Sequence, residues 1–213
     1  MKKIPTVFGM DHATGLAVPE LRAESAWVAA GEGTASIKLD GMATLFQDGL
    51  LWKCYDRKLN KPAAARTARG LVLGLLDESL FKQPPEGFVA CEPAPVPVTR
   101  HWPGWVPVDA HDPADQWLRE GWQAAMDLCD GATDELVGPS LALNIYGLAR
   151  HELRRHGAEV VTVPGRSWQG LRAVLEPRQI EGLVFAHADG RRAKIRRKDF
   201  GFFWVQADLR KRR

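Results

Sequence analysis

Lys38 stands in Ile37-Lys38-Leu39-Asp40-Gly41, between two apolar, alternating runs that read as strands. An amine in that setting can attack the α-phosphate of a nucleotide and hold it as a phosphoramidate, splitting one difficult transfer into easier steps. Asp40 and Gly41 belong to the same candidate site, because a glycine lets backbone approach a bound nucleotide closely. The tetrapeptide alone is equally a hairpin turn with a solvated lysine, so the chemistry needs support elsewhere in the chain.

That support comes from a basic run. Arg191, Arg192, Lys194, Arg196, Arg197 and Lys198 place six cations within eight positions. On a strand over 192–198, alternation puts Arg192, Lys194, Arg196 and Lys198 on one face, where they repel one another unless an anion lies there. A solvated edge strand guarded by cations looks similar. The preceding Glu181-Gly182-Leu183-Val184-Phe185, however, is apolar with one carboxylate at its start. A carboxylate beside a polyphosphate-sized cationic face suits a Mg²⁺ anchor, since that ion takes oxygen ligands and arrives with substrate phosphates. The other reading pairs Glu181 with a neighbouring arginine. A third stretch, Glu135-Leu136-Val137-Gly138-Pro139 with Asn144 and Tyr146-Gly147 following, offers a carboxylate able to accept hydrogen bonds from ribose hydroxyls.

The elements that must position these residues follow from periodicity and turn chemistry. Strands are expected over 34–38, 42–46 and 51–55, with Asp40-Gly41 and Asp48-Gly49 as hairpin turns between them. A basic loop over 57–69 carries Arg57, Lys58, Lys61, Arg66 and Arg69. A short helix is expected near 19–30. A longer one over 113–130 has Asp112 as cap, Pro113 in its first position, Gly131 as its stop, and Trp117, Met126 and Leu128 as apolar area. The proline-rich 84–107 reads as an irregular surface insert with short strand pieces, its tryptophans folding it onto the body. Strands over 135–143 and 159–163, a helix over 167–175 and a hairpin of 180–186 with 192–198 complete the chain. Strands around helices without βαβ alternation mean an α+β fold with antiparallel sheets.

Composition excludes more than it assigns. The 213 residues are 45% hydrophobic and 26% charged, which is globular and large enough for a real core. A net charge of +3 does not by itself imply nucleic acid. Cys54, Cys91 and Cys129 are odd in number and lack a Cys-x-x-Cys, so neither a disulfide framework nor a zinc ribbon is suggested, and free thiols fit a reducing cytoplasm. His101, His111, His151 and His156 are not at zinc spacing. No apolar segment follows the first five residues, and the longest aliphatic run, 71–76, is too short to span a bilayer. Neither a membrane association nor an obligate protein partner is expected.

The order Lys-x-Asp-Gly, glutamate strand, Glu-Gly-Leu-Val-Phe, Lys-x-Arg resembles the nucleotidyltransferase superfamily of polynucleotide ligases and mRNA-capping enzymes. Lys38-Leu39-Asp40-Gly41 is similar to its first motif, Glu135-Leu136-Val137-Gly138 to the third, Glu181-Gly182-Leu183-Val184 to the fourth and Lys194-Ile195-Arg196 to the fifth. The chain more closely resembles stand-alone ATP-dependent 5′-to-3′ RNA ligases, the group containing the vertebrate 5′-3′ RNA ligase. Leu51-Trp52, Asp56-Arg57-Lys58, Asn60-Lys61, Pro103-Gly104-Trp105-Val106-Pro107-Val108, Asn144-Ile145-Tyr146-Gly147-Leu148 and Phe200-Gly201-Phe202-Phe203-Trp204 carry that likeness, over about 36–205. The fifth motif departs from the usual Lys-x-Lys, having Arg196 as its second cation.

The resemblance implies a single adenylation domain over 1–213, with antiparallel sheets flanked by helices, no OB-fold and a basic tail at 206–213. It implies that Lys38 attacks ATP and carries AMP, that Glu135 holds the ribose, that Glu181 holds Mg²⁺ or Mn²⁺, and that Lys194 and Arg196 grip the α-phosphate. Arg57 is a further candidate for the ribose or phosphate. AMP would pass to an RNA 5′-phosphate and be displaced by a 3′-OH, with residues 57–69 and the tail along the RNA backbone. A GTP-dependent capping-type guanylyltransferase and an inactive RNA-end-binding module are the alternatives. A missing OB-fold disfavours the first, and the intact Lys38, Glu135, Glu181 and Lys194 disfavour the second.

Overall fold

The computed structural model describes residues 3–70, 76–97 and 100–203. In chain order its elements are β1 (Phe8–Met10), β2 (Ala17–Leu21), α1 (Ala26–Ala29), β3 (Thr34–Lys38), β4 (Met42–Gln47), β5 (Leu50–Lys58), α2 (Lys61–Ala68), β6 (Val89–Ala90), β7 (His101–Pro107), α3 (Gln116–Ala124), β8 (Ala132–Val137), β9 (Glu152–Arg155), α4 (Trp168–Leu175), β10 (Gly182–Ala186) and β11 (Arg192–Arg196). The ladders joining β1 to β2, β3 to β10 to β11, and β6 through β7, β5 and β4 to β8 are antiparallel. The class is α+β, as the sequence predicts.

The chain divides into two compact units. One, chiefly Met42–Leu136 with His151–Leu153, is organised on the sheet ordered β6-β7-β5-β4-β8-β9. The other comprises Ile4–Gly41, Val137–Arg150 and the chain from Arg154 onward, and holds the sheet β11-β10-β3 and the β1-β2 pair. In this second unit Ala35, Leu183, Phe185, Ala193 and Ile195 turn one face of the sheet toward Trp27 and Val28 of α1 and Leu171 and Leu175 of α4, all buried. Full burial of each large side chain there stabilises the fold by about 1.5–3 kcal/mol.

Several expectations are corrected. β3 and β4 are consecutive but do not pair: β3 pairs with β10, and β4 with β5 and β8. Asp40-Gly41 is therefore the point where the chain changes sheets and not a hairpin turn. Asp48-Gly49 is one, with φ of 52° and 74°, as the favoured two-residue hairpin demands. The basic stretch 57–69 is not a loop. β5 runs on to Lys58, and Asn60 Oδ1 accepts from Ala63 N at 3.0 Å to start the alanine-rich α2.

Residues 17–21 form a strand against β1, leaving only α1 of the expected early helix. The helix expected over 113–130 is a 3-10 turn at Pro113–Asp115 followed by α3, which stops at Ala124 and leaves Met126 93% exposed. β7 is more regular than a proline-rich insert suggests, running seven residues against β5. It meets β6 over only two, and prolines are tolerated where a ladder is that short.

Residues 159–161 are not a strand, although they bond the free edge of β3 through Ile37 N to Glu159 O at 2.8 Å and Val161 N to Ala35 O at 2.9 Å. The aliphatic run 71–76, except Leu76, and the tail 206–213 lie outside the described residues. Among the described residues, no helix is long and apolar enough to cross a membrane.

Candidate active site

The second face of the three-stranded sheet carries the candidate residues. Strand register aligns Lys38 with Gly182 and Arg196, then Ser36 with Val184 and Lys194, then Thr34 with Ala186 and Arg192. Alternation sends these rows to the face opposite Leu183, Phe185 and Ile195. Between Lys38 and Arg196 the floor is bare backbone: a Cβ on Gly182 would lie 2.3 Å from Ile195 O and 2.7 Å from Arg196 Cα. No other residue fits that point of the sheet.

Lys38 Nζ donates to Glu181 Oε2 at 2.5 Å and to Leu39 O at 3.2 Å. The two side chains are 24% and 14% exposed, so the pair is reachable without being solvated. Burial raises the proton affinity of Glu181 above that of an ordinary carboxylate; the ion pair with Lys38 and the charge of Arg196 offset this only in part, and Asp40 adds to the rise. The predicted residues Lys38, Asp40 and Arg196 thus each lie within electrostatic reach of Glu181.

Arg196 is held by a residue the sequence reading did not single out. Its Nε and NH2 donate to Asp199 Oδ1 at 3.1 and 2.8 Å, and its backbone N donates to Asp199 Oδ2 at 2.8 Å. Asp199 is 1% exposed. The bond from Arg196 N to the Asp199 carboxylate three residues on is one half of a capping box, and arginine, having no acceptor, cannot supply the other. That cap turns the chain into a 3-10 turn at Arg197–Phe200, which ends β11 at Arg196. The expected fourth cation, Lys198, is therefore not on the strand face, and three remain: Arg192, Lys194 and Arg196. Arg197 turns inward, and its NH1 donates to the carbonyls of Leu175, Glu176 and Arg178 at the end of α4.

The residues after β8 reach the same site. Ala142, Leu143 and Asn144 are consecutively left-handed, at φ 43°, 60° and 52°. Asn144 clips the following turn, its Nδ2 donating to Leu148 O at 2.9 Å and its Oδ1 accepting from Leu148 N at 2.8 Å. Tyr146 Oη then accepts from Asp40 N at 2.7 Å, and the Arg154 guanidinium lies 5.0 Å from the centre of the Tyr146 ring.

Glu135 and Arg57 lie in the other unit. Glu135 is buried on β8 opposite Ala43. Arg57 is 1% exposed. Its Nε donates to Lys82 O at 2.6 Å and its NH1 to Glu78 Oε1 at 2.9 Å, with the Phe81 and Trp102 rings beside it. Trp102 also donates Nε1 to Glu92 O at 2.9 Å within the insert, which the β7 ladder joins to β5. Among the described residues no group of three or more His, Cys, Asp and Glu converges as a metal cage. Mg²⁺ does not require one: it keeps several waters and takes one or two carboxylates plus substrate phosphates. Glu181 is a partly exposed carboxylate of the kind that donor set uses.

Several known proteins are similar in sequence. The chain is 27% identical to RNA ligase 1 of Danio rerio, over 82% of this chain and 69% of that protein. It is 29% identical to RNA ligase 1 of Mus musculus, over 74% and 62%. It is also 29% identical to RNA ligase 1 of Pongo abelii, over 80% and 68%. The matches thus span 62–69% of these relatives' lengths. No protein-family model matches the chain. These similarities support a relationship to RNA ligases.

Proposed function

We propose that this chain is an ATP-dependent RNA ligase of the covalent nucleotidyltransferase type, joining 5′-phosphate and 3′-OH ends through AMP carried on Lys38. The observation that carries the reading is the contact of Lys38 Nζ with Glu181 Oε2 at 2.5 Å, on paired strands whose third partner brings Lys194 and Arg196 to the same face.

In the first step the ammonium proton leaves Nζ for solvent. The freed amine attacks the α-phosphorus of ATP, a P–N bond forms, the bond to the β-phosphate oxygen breaks and pyrophosphate departs. Arg196 and Lys194 face the charge on the α-phosphate across the Gly182 floor. Glu181 and Asp40 would hold a divalent cation, which when bound neutralises charge on the phosphates. Glu135 takes the ribose. AMP then passes to an RNA 5′-phosphate, and a 3′-OH displaces it.

Intact mass after incubation with ATP and Mg²⁺ tests this. One added adenylate, mapped to Lys38 and absent with GTP, is expected. Sealing should require a 5′-phosphate, so ligation of a 5′-OH RNA to a 2′,3′-cyclic phosphate would overturn the reading.

A further inference from the structure

We infer that Tyr146 is a positioning residue for Lys38, acting through the backbone N–H of Asp40. The inference rests on the ligase reading above and adds to it how the nucleophile is aimed.

Lys38 is the last residue of β3, and the chain leaves the sheet at once through Leu39 and Asp40. A strand-end side chain is not held by cross-strand neighbours on both sides, so its direction depends on the path of the residues that follow. Among the described hydrogen bonds, the amide of Asp40 is donated to a side chain 106 residues away, at 2.7 Å. Tyrosine suits such a contact, because its rigid ring delivers a hydroxyl over a long reach at low entropic cost.

The segment that delivers the ring is itself unusual. Left-handed backbone costs a residue with a Cβ roughly 1–2 kcal/mol, and here three occur in succession with no glycine among them, at Ala142, Leu143 and Asn144. Such a conformation persists only when its surroundings over-determine it. Asn144 does so by closing a ring with both backbone polar groups of Leu148, and Asn144 N donates to Leu141 O at 2.7 Å. Arg154 lies over the ring of Tyr146 and fixes its plane. Strain, clip and ring support converge on one contact, the hydroxyl on Asp40 N. With that contact made, Nζ reaches both Glu181 Oε2 and Leu39 O.

The test is Tyr146→Phe, which keeps the ring and its packing and removes only the hydroxyl. Self-adenylation at saturating ATP should fall by about ten- to a hundredfold, the scale of a misaimed nucleophile. Sealing of RNA that already carries a 5′-adenylate should stay within about twofold of wild type, because that step uses no lysine nucleophile. A melting temperature near that of wild type should accompany both results. Self-adenylation by Tyr146→Phe at the wild-type rate would overturn the inference, as would an equal fall in the sealing of adenylated RNA, which would make Tyr146 merely structural. Asn144→Ala gives a second reading of the same contact and should show the same split between the two steps. Absence of a Lys38 adduct in the wild type would instead overturn the ligase reading itself.

Discussion

The two sheets use buried charge in opposite ways. In the six-stranded sheet, charged groups are fixed to structural partners: Arg57 to Glu78 and Lys82 O, and Lys53 to Asp115. Arg57 is buried between aromatic rings. In the three-stranded sheet, Lys38 and Glu181 are partly shielded and in direct contact, and the Gly182 floor lies between Lys38 and Arg196. An arginine only 1% exposed is placed to hold a fold together, whereas a lysine 24% exposed remains reachable for a substrate. The sequence predicts similar roles for Arg57 and Arg196, and their surroundings differ. Arg57 is buried between two rings, with Nε and NH1 bonded and NH2 without a hydrogen-bond partner. Arg196 is forked by Asp199 yet still within electrostatic range of Glu181.

The comparison is tested most severely at Lys38. Both Lys38→Ala and Lys38→Arg should lose self-adenylation by about a thousandfold or more, since a guanidinium stays protonated and cannot attack. Substantial activity in the arginine variant, measured by labelled ATP, would reduce Lys38 to an electrostatic anchor. Glu181→Gln comes next: self-adenylation at limiting Mg²⁺ should fall by about a hundredfold while the folded structure persists by circular dichroism. Wild-type rates in that variant would remove the carboxylate from the chemistry.

Arg57→Ala should act on the opposite property. Stability to urea should drop by about 3 kcal/mol, because a buried, hydrogen-bonded cation and its ring contacts are lost together, while the folded fraction still adenylates Lys38. A stable Arg57→Ala protein with a raised KM for ATP would break the contrast and return Arg57 to the nucleotide.

The smallest effect is a pH slope. The proton affinity of Glu181 is raised in the folded state above its ordinary value of 4.5. Folding therefore favours its protonated form, and that contribution is present below pH 4.5 and is lost as pH rises through the raised value. The stability of Glu181→Gln relative to wild type should accordingly increase with pH across that interval in parallel urea melts. A difference that is flat, or of opposite sign, would contradict the burial of this carboxylate.

What was legible in the sequence divides along physical lines. Alternation located β3, β4, β10 and β11 to within a residue or two and placed Lys194 and Arg196 on one face. The helix expected over 167–175 is α4, and Ser167 caps it, its Oγ accepting from Gly170 N at 3.1 Å. The pairing of β3 was not legible, because Asp-Gly specifies a reversal only when the flanking strands bond each other, and those of Lys38 find other partners. Helix lengths were overdrawn where alanine and methionine supplied periodicity without burial, as Met126 shows. Tyr146 was singled out without its role, because a hydrogen bond to the backbone of a residue 106 positions away is not written in local spacing, and Asp199 was passed over although it lies three residues from Arg196.

The register of Lys38 with Gly182 also governs when the site can exist during synthesis. β3 emerges early, but its ladder partner β10 is encoded more than 140 residues later, and β11 later still. Until then the edge of β3 is an unsatisfied template, and contacts of such sequence separation form slowly because the long loop must close first. Lys38 and Glu181 therefore meet only once β10 has been made. A nascent chain released before residue 196 carries Lys38 but not the surface on which it works.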